Sequence, residues 1–565
     1  MKEKLRDFIK NKKIISYLII IFVSIFVCIP LCSKYADIST DDGIQHIYRL
    51  IGTFSSLQEG NLFPVIMSEF CNGFGYSWNI FYSPLTAYLP LIFKIFTNSF
   101  VNILKLFIFT TILLSGIYMY KLVFRITKSH KASMISAILY ISAPYHLTDI
   151  YNRVAIAELA TFTFLPIVFM GMYDLFKENK KSYYLAIGAI GLTLTHNVLT
   201  VYTAIFCLIY MIINYKKINK SIIKTVLLKV LIILLCTSFY WVPLLEHYFA
   251  TTYEVFIPER MYNVNTLIES KLSAMDLLFG RKWGINLYLG LPIVLGIIFT
   301  FIYRKRISDK VKTYVAIFLS FGLASLIMTL LIFPFEYLPS FLRMLQFVWR
   351  MLIFASFFLS IVSGITINMF IDKNNKKKAL FAIIFVIYLF VVVNSTKQMT
   401  KIPFDEEKYL KPRPVSSRTL KVHAGCATFE YLPQKAYSNL DYIKIRNSNV
   451  IIISGEAEII NENKNGTKMT FEVNNIKDNV TIELPYIYYL GYNATLTDKE
   501  GNVSELQIQE SDNGFCMIEI KDIERGTINV TYEGTTLMKI SYVSTLAGII
   551  ILLCIACKNQ HNVVK

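Results

Sequence analysis

With 54% of its 565 residues hydrophobic and only 17% charged, the chain falls outside the composition of ordinary soluble domains and reads as a polytopic membrane protein. Its formal net charge of +18 does not point to nucleic acid, because Lys and Arg are dispersed in short blocks between apolar runs and form no single patch. The positive-inside rule assigns these blocks, at 2–13, 121–131, 177–181, 216–220, 303–312 and 372–378, with Lys558 and Lys565, to the cytoplasm.

The first apolar run, 14–32, is followed by no small-x-small cleavage site and is expected to be a true span, not a signal peptide. Further runs that can cross a hydrocarbon core, roughly 17–25 residues each, lie near 101–121, 132–148, 158–176, 183–199, 200–215, 222–244, 286–303, 313–333, 347–371, 379–395 and 538–557. They make about twelve helices in a plasma membrane, with both termini cytoplasmic. The stretch 182–215 carries no charge at its middle and is divided at Thr195-His196-Asn197 as an external turn. Residues 81–97 hold two prolines and are expected to form a helix lying along the outer surface.

From about 396 to 537 the sequence alternates, is rich in β-branched residues and is punctuated by turns. It predicts strands joined by Asn465-Gly466 and Glu533-Gly534. The expected division is a transmembrane domain over 1–395 with its first external loop at 33–100, an extracytoplasmic sandwich-like β domain over 396–537, and a last helix with a cytoplasmic tail over 538–565. The predicted fold class is thus a polytopic α-helical membrane protein with a β-rich domain before its final helix.

Nine cysteines are thinly spread. Cys28, Cys207 and Cys236 fall in predicted spans, and Cys554 and Cys557 form a CxxC without further ligands, so apolar filler is the favoured reading. Cys426 and Cys516 share the external domain, and a disulfide between them is left open. No metal ligand set emerges; a divalent cation is compatible with the chain but not required by it.

Four polar clusters stand out, all at predicted outer boundaries. In "STDDGIQHIYRL" (39–50), a helix beginning at Gly43 needs one capping acid, not two, and capping leaves His46 and Arg49 unexplained. Those two lie four and seven residues after Asp42, on one helix face. "SAPYHLTDIYNRVAIAELA" brings Tyr145, His146, Asp149, Arg153 and Glu158 to a second boundary. An exposed Asp149–Arg153 pair would be worth only a few tenths of a kcal/mol, but Glu158 leads straight into a span, where an unpaired carboxylate is expensive. "LTHN" supplies His196 and Asn197, for which a histidine satisfied by a backbone carbonyl is an equal alternative. "FLRMLQFVWRML" supplies Arg343, Gln346, Trp349 and Arg350; an aromatic belt and snorkelling account for Trp349 and one Arg, whereas Gln346 and Arg350 would share a face. Convergence on one side implies an outer cavity in which a carboxylate serves an acceptor while Arg binds an anionic leaving group.

These same stretches carry a resemblance. "DDGIQHIYRL", residues 57–90, "SAPYHLTDIYNRVAIAELA", "LTHN", "LQFVWR" and "ELPYIYYLGYNATLTDKEGN" (483–502), in this order over nearly the whole chain, resemble bacterial membrane proteins of the YfhO and "6-pyruvoyl-tetrahydropterin synthase-related" type, which look like GT-C fold glycosyltransferases. The pterin name is uninformative here: a soluble pterin synthase needs a His-rich zinc site, and the seven histidines are scattered. The resemblance implies a polyprenyl-phosphate-linked sugar donor, a cell-surface glycan, lipid or protein as acceptor, and an acid of the first external loop as catalyst. It makes Asp42 the leading base with Asp41 its rival, and it implies donor or substrate binding by His46, Arg49, Asp149, Arg153, Glu158, His196, Gln346 and Arg350. Two other classes compete. A transporter or flippase of lipid-linked saccharides predicts charges at mid-membrane; a non-catalytic envelope assembly factor would keep the β domain and have no need of Asp42.

Overall fold

The computed structural model describes residues 11–38, 40, 42–177, 182–261, 263–371, 374–401, 403, 426, 428–477 and 479–564. Asp41 lies outside them. Among the described residues, seven helices are long and apolar enough to cross a membrane: Lys12–Cys32, Phe100–Thr127, Ile156–Lys177, Asp309–Thr329, Val348–Ile371, Asn375–Thr396 and Thr536–Ile555. An eighth results if Lys220–Cys236 and Ser238–Ala250, bent by 71°, are one span. Other expected spans are shorter. The run 132–148 divides into His130–Ile141 and Pro144–Tyr151, because Pro144 lacks the N–H that would continue the ladder and instead opens a new helix. The runs 183–199, 200–215 and 286–303 become Tyr184–Thr193, Asn197–Ile213 and Leu291–Tyr303. Within 81–97 lies a short apolar helix, Leu85–Ile95, whose first turn Leu85–Tyr88 is α-helical and whose remainder, from Leu89, is 3₁₀.

Val348–Ile371 and Ile156–Lys177 form the centre of the bundle and are almost wholly buried, while Asn375–Thr396 and Thr536–Ile555 lie mostly exposed at its edge. Small residues permit the closest helix approach: a Cβ on Gly364 would stand 2.0 Å from Ser136 Oγ and 2.5 Å from its backbone nitrogen. Chain segments after the first span and after Asn375–Thr396 meet at one end of the bundle, where Ala36 bridges Met399 and Thr400 N donates to Tyr35 O at 2.8 Å.

The β domain sits at that same end. Its strands are β1 Ile451–Ser454, β2 Glu458–Asn465, β3 Lys468–Asn474, β4 Val480–Ile487, β5 Tyr492–Asp498, β6 Val503–Leu506, β7 Gln509–Glu510, β8 Phe515–Ile520 and β9 Gly526–Tyr532. All pair antiparallel, in sheets of order β1-β4-β8-β7 and β2-β3-β9-β5-β6. Alternate residues of both sheets, among them Met469, Phe471, Val473, Ile482, Leu484, Ile518, Ile528 and Val530, fill one shared core, which makes a sandwich. Asn465 pairs with Lys468 across the expected two-residue turn. Glu533-Gly534 joins no strands; both amides donate to Gly491 O, at 2.9 and 3.1 Å, and the chain swings into the last helix.

The sandwich is docked, not merely tethered. Phe74, Tyr76, Trp78 and Phe81 of the first long loop share a core with Tyr253, Tyr431, Tyr489 and Phe515. Ile487 N donates to Phe74 O at 2.9 Å, and Lys464 Nζ to Gly73 O at 2.6 Å. At the centre of the contact a fully buried pair joins Arg446 Nε to Glu483 Oε1 at 3.0 Å, with the guanidinium between the rings of Phe74 and Phe515. Tyr442 and Ser511 donate to the same carboxylate, each at 2.8 Å. Removing one partner strands a buried charge, a loss of about 3–5 kcal/mol. Arg446→Met should therefore lower the thermal unfolding midpoint of the purified protein sharply, and Arg446→Met with Glu483→Leu should recover most of it.

Candidate functional site

Asp42 occupies the N-cap position of helix Gly43–Gln58, yet its carboxylate makes no capping hydrogen bond. Its Oδ2 instead accepts from Arg153 Nη2 at 2.9 Å. The chain is drawn to the Arg153 loop by backbone as well: Asp42 N and Thr40 Oγ1 both donate to Arg153 O, at 3.3 and 2.8 Å. Gly43 is needed for this approach, because a Cβ there would meet Ile38 O at 2.3 Å and Val154 Cβ at 3.0 Å.

Arg153 gathers two more acids. Its Nη1 lies 2.6 Å from Glu158 Oε1 and 3.3 Å from Asp149 Oδ1. Arg350 Nε reaches the same Glu158 oxygen at 2.9 Å, and Tyr145 Oη donates to Oε2 at 2.9 Å. The acids differ in exposure: the side chains of Asp149 and Glu158 are 0% and 2% exposed, that of Asp42 39%. Burial, and then the charge of Glu158, push the Asp149 carboxyl well above the usual range. Among the described residues its Oδ2 has no hydrogen-bond partner. Of the three acids, Asp42 is the one open to a ligand.

The remaining expected site residues divide. Gln346 joins the cluster, its Oε1 accepting from Arg350 Nη1 at 3.1 Å. His46 is buried beside the cluster, and burial pushes its imidazole down to about 4. His196 caps Asn197–Ile213 by accepting from Leu199 N at 3.4 Å, within electrostatic range of Glu158 and Arg350. Arg49 is brought elsewhere. It is 1% exposed, donates to Thr86, Asn79 and the carbonyls of Tyr82 and Ser83, and stacks on Tyr82. Its Nη1 and Nη2 organise the loop 79–86, and among the described residues its buried Nε has no hydrogen-bond partner. His146 is likewise structural, stacked on Phe162 and bonded to Tyr140 O.

Three features escaped the sequence. Tyr82, half-buried, packs its ring edge-on to His46 and lies in the field of Asp42, Arg350 and Glu158. Val154 and Gln346 hold φ of +53° and +66°, strained for side-chain-bearing residues at about 1–3 kcal/mol each, and they flank the two arginines. Trp283, at the tip of a two-stranded ribbon, stands edge-on to Trp349, which stacks on Phe347 under the Arg350 guanidinium. Only the lone "W" in a turn could have hinted at this shelf. Among the described residues no group of three or more His, Cys, Asp or Glu is arranged to hold a metal ion. The arrangement can therefore bind an anion at Arg350, orient a hydroxyl against Asp42 and present an aromatic wall. Arg153→Gln should remove the cation from buried Glu158 and cost about 3–5 kcal/mol, read as lost thermal stability in detergent, whereas Arg350→Gln, whose partner keeps Arg153, should cost less.

Comparison with known proteins gives two findings. A family model described as "6-pyruvoyl-tetrahydropterin synthase related domain; membrane protein" matches residues 80–402, which take in Asp149, Arg153, Glu158, His196, Gln346 and Arg350. An "Uncharacterized protein" of Lactococcus lactis subsp. cremoris (strain MG1363) is 25% identical over 586 aligned positions, covering 94% of each chain. With more than half its length inside that match, the chain belongs to the 6-pyruvoyl-tetrahydropterin synthase related membrane-protein family.

Proposed function

We propose that the protein is a GT-C-type glycosyltransferase that moves a sugar from a polyprenyl-phosphate donor to a glycan, lipid or protein of the cell envelope. The observation that carries this reading is the condition of Asp42: a carboxylate at a helix N-cap that is not spent on capping, fixed through one oxygen by Arg153, and open on the other side. A base is useful only where it is oriented and accessible, and the two other acids of the cluster are neither open nor free of partners.

In this reaction Asp42 Oδ1 takes the proton of the acceptor hydroxyl as its oxygen attacks the anomeric carbon. The bond from that carbon to the phosphate oxygen breaks, and polyprenyl phosphate leaves. Arg350, whose Nη2 makes no hydrogen bond to the described residues, stabilises the departing anion. Trp283 and Tyr82 wall the sugar. The docked sandwich guides the acceptor.

The orientation proposed is outward for the site and the β domain, inward for both termini. It is supported by the basic loops at 121–131, 216–220 and 303–312, which join helices at the end of the bundle opposite the β domain. The full count of about twelve crossings belongs to the same proposal, with the shorter apolar helices as further spans.

Asp42→Asn keeps shape and hydrogen bonding but removes the proton acceptor, and a positioned base contributes about 10²–10⁴-fold. Sugar transfer from a polyprenyl-phosphate donor in membranes should fall by that factor at unchanged expression. Near-normal transfer would reject the assignment. Arg350→Gln should raise KM for the donor more than it changes acceptor use, and equal effects on both substrates would count against the phosphate role.

A further inference from the structure

Cys71 and Cys426, 355 residues apart, meet in the core that joins the first long loop to the β domain. Their sulfurs are 3.6 Å apart, and the residues are 2% and 1% exposed. Cys516 faces Ile487 O instead, so the neighbour of Cys426 is Cys71 and not the partner considered from the sequence.

Both backbones are fixed around the sulfurs. Cys71 and Asn72 hold consecutive left-handed conformations, φ +54° and +61°, which are costly for residues with side chains. The turn is tied down by Asn72 Nδ2, which donates to Ile443 O at 2.9 Å, and by Gly75 N, which donates to Phe70 O at 3.0 Å. On the other side Tyr76 Oη donates to Cys426 O at 3.2 Å and accepts from Tyr431 N at 3.1 Å. Strain retained by so many contacts brings the two sulfurs face to face.

We propose that Cys71 and Cys426 are joined by a disulfide in the mature protein, a covalent modification that pins the lead-in of the β domain to the loop beneath the site; it rests on the outward orientation proposed above. The sulfurs, 3.6 Å apart, must close to about 2.05 Å. Two thiols lose two protons and two electrons and become one S–S bond. The acceptor is the disulfide of an envelope thiol oxidoreductase, which leaves as the dithiol. Burial pushes the Cys426 thiol well up once the domain has docked, which disfavours the attacking thiolate. Both residues are closed off in the docked state, 2% and 1% exposed, so an oxidoreductase reaches them before the sandwich closes over the loop. Its consequence reaches the site through Tyr431, which stacks on Phe81 and packs edge-on to Trp78, the ring over which Arg49 lies.

The test uses the full chain in its own membranes, denatured with N-ethylmaleimide with and without prior reduction and read by peptide mass spectrometry. The expected result is one cross-linked species containing Cys71 and Cys426 without reductant, both alkylated only after reduction, and Cys516 alkylated in either case. Cys71→Ser should leave Cys426 alkylated without reductant. A thiol introduced at the exposed Val503, 66% accessible, reports orientation through a membrane-impermeant maleimide. Free Cys71 and Cys426 in protein whose Val503→Cys labels from outside would overturn the cross-link alone. Free thiols with Val503→Cys labelled only after permeabilisation would overturn both the cross-link and the orientation.

Discussion

The guanidinium of Arg153 is the constraint on which the rest depends. A cation 6% exposed within an apolar bundle is tolerated only if carboxylates meet it, and it draws them from three places: the start of helix Gly43–Gln58, the short helix Pro144–Tyr151 and the head of span Ile156–Lys177. Arg350 brings a fourth segment through Glu158. The strained backbones of Val154 and Gln346 are the local expense of turning both arginines inward, and the surrounding helices hold them there. An ion cluster of this kind is poor insurance for stability by itself. It specifies which segments must meet, and it leaves one carboxylate at the opening.

A second arginine does similar work without acids. Arg49 bonds two carbonyls and two side chains of residues 79–86 through its Nη1 and Nη2 and so shapes the loop against which the β domain rests. A third, Arg446, is buried with Glu483 in that contact itself. Loop, cluster and sandwich are thus linked by packed aromatic rings, from Tyr82 through Arg49 and Trp78 to Tyr431. Movement of the sandwich would be felt at Tyr82, next to the acids.

Much of this was legible in the sequence because membranes make polar residues conspicuous. Asp42, Asp149, Arg153, Glu158 and Arg350 stood out against apolar neighbours, and the structure brings all five together. The β-rich segment was legible from period-two alternation, down to the Asn465-Gly466 turn. Less legible was how partners are shared. Arg49 lies seven residues after Asp42 and looks like a site residue by helical phase, but rotation and reach turn it to backbone carbonyls that no pattern announces. Hydropathy overstated continuity: Pro144 opens a new helix within a run that hydropathy reads as one, because hydropathy counts side chains and helix continuity needs N–H groups. The contact of Cys71 with Cys426 depends on tertiary register alone.

The most direct test of the central claim is where a donor analogue rests. A cryo-electron microscopy map of the protein in lipid nanodiscs with a polyprenyl phosphonate-linked sugar should place the phosphonate against Arg350 and the anomeric carbon facing Asp42. A phosphonate bound away from Arg350, with Asp42 facing no part of the sugar, would contradict the account.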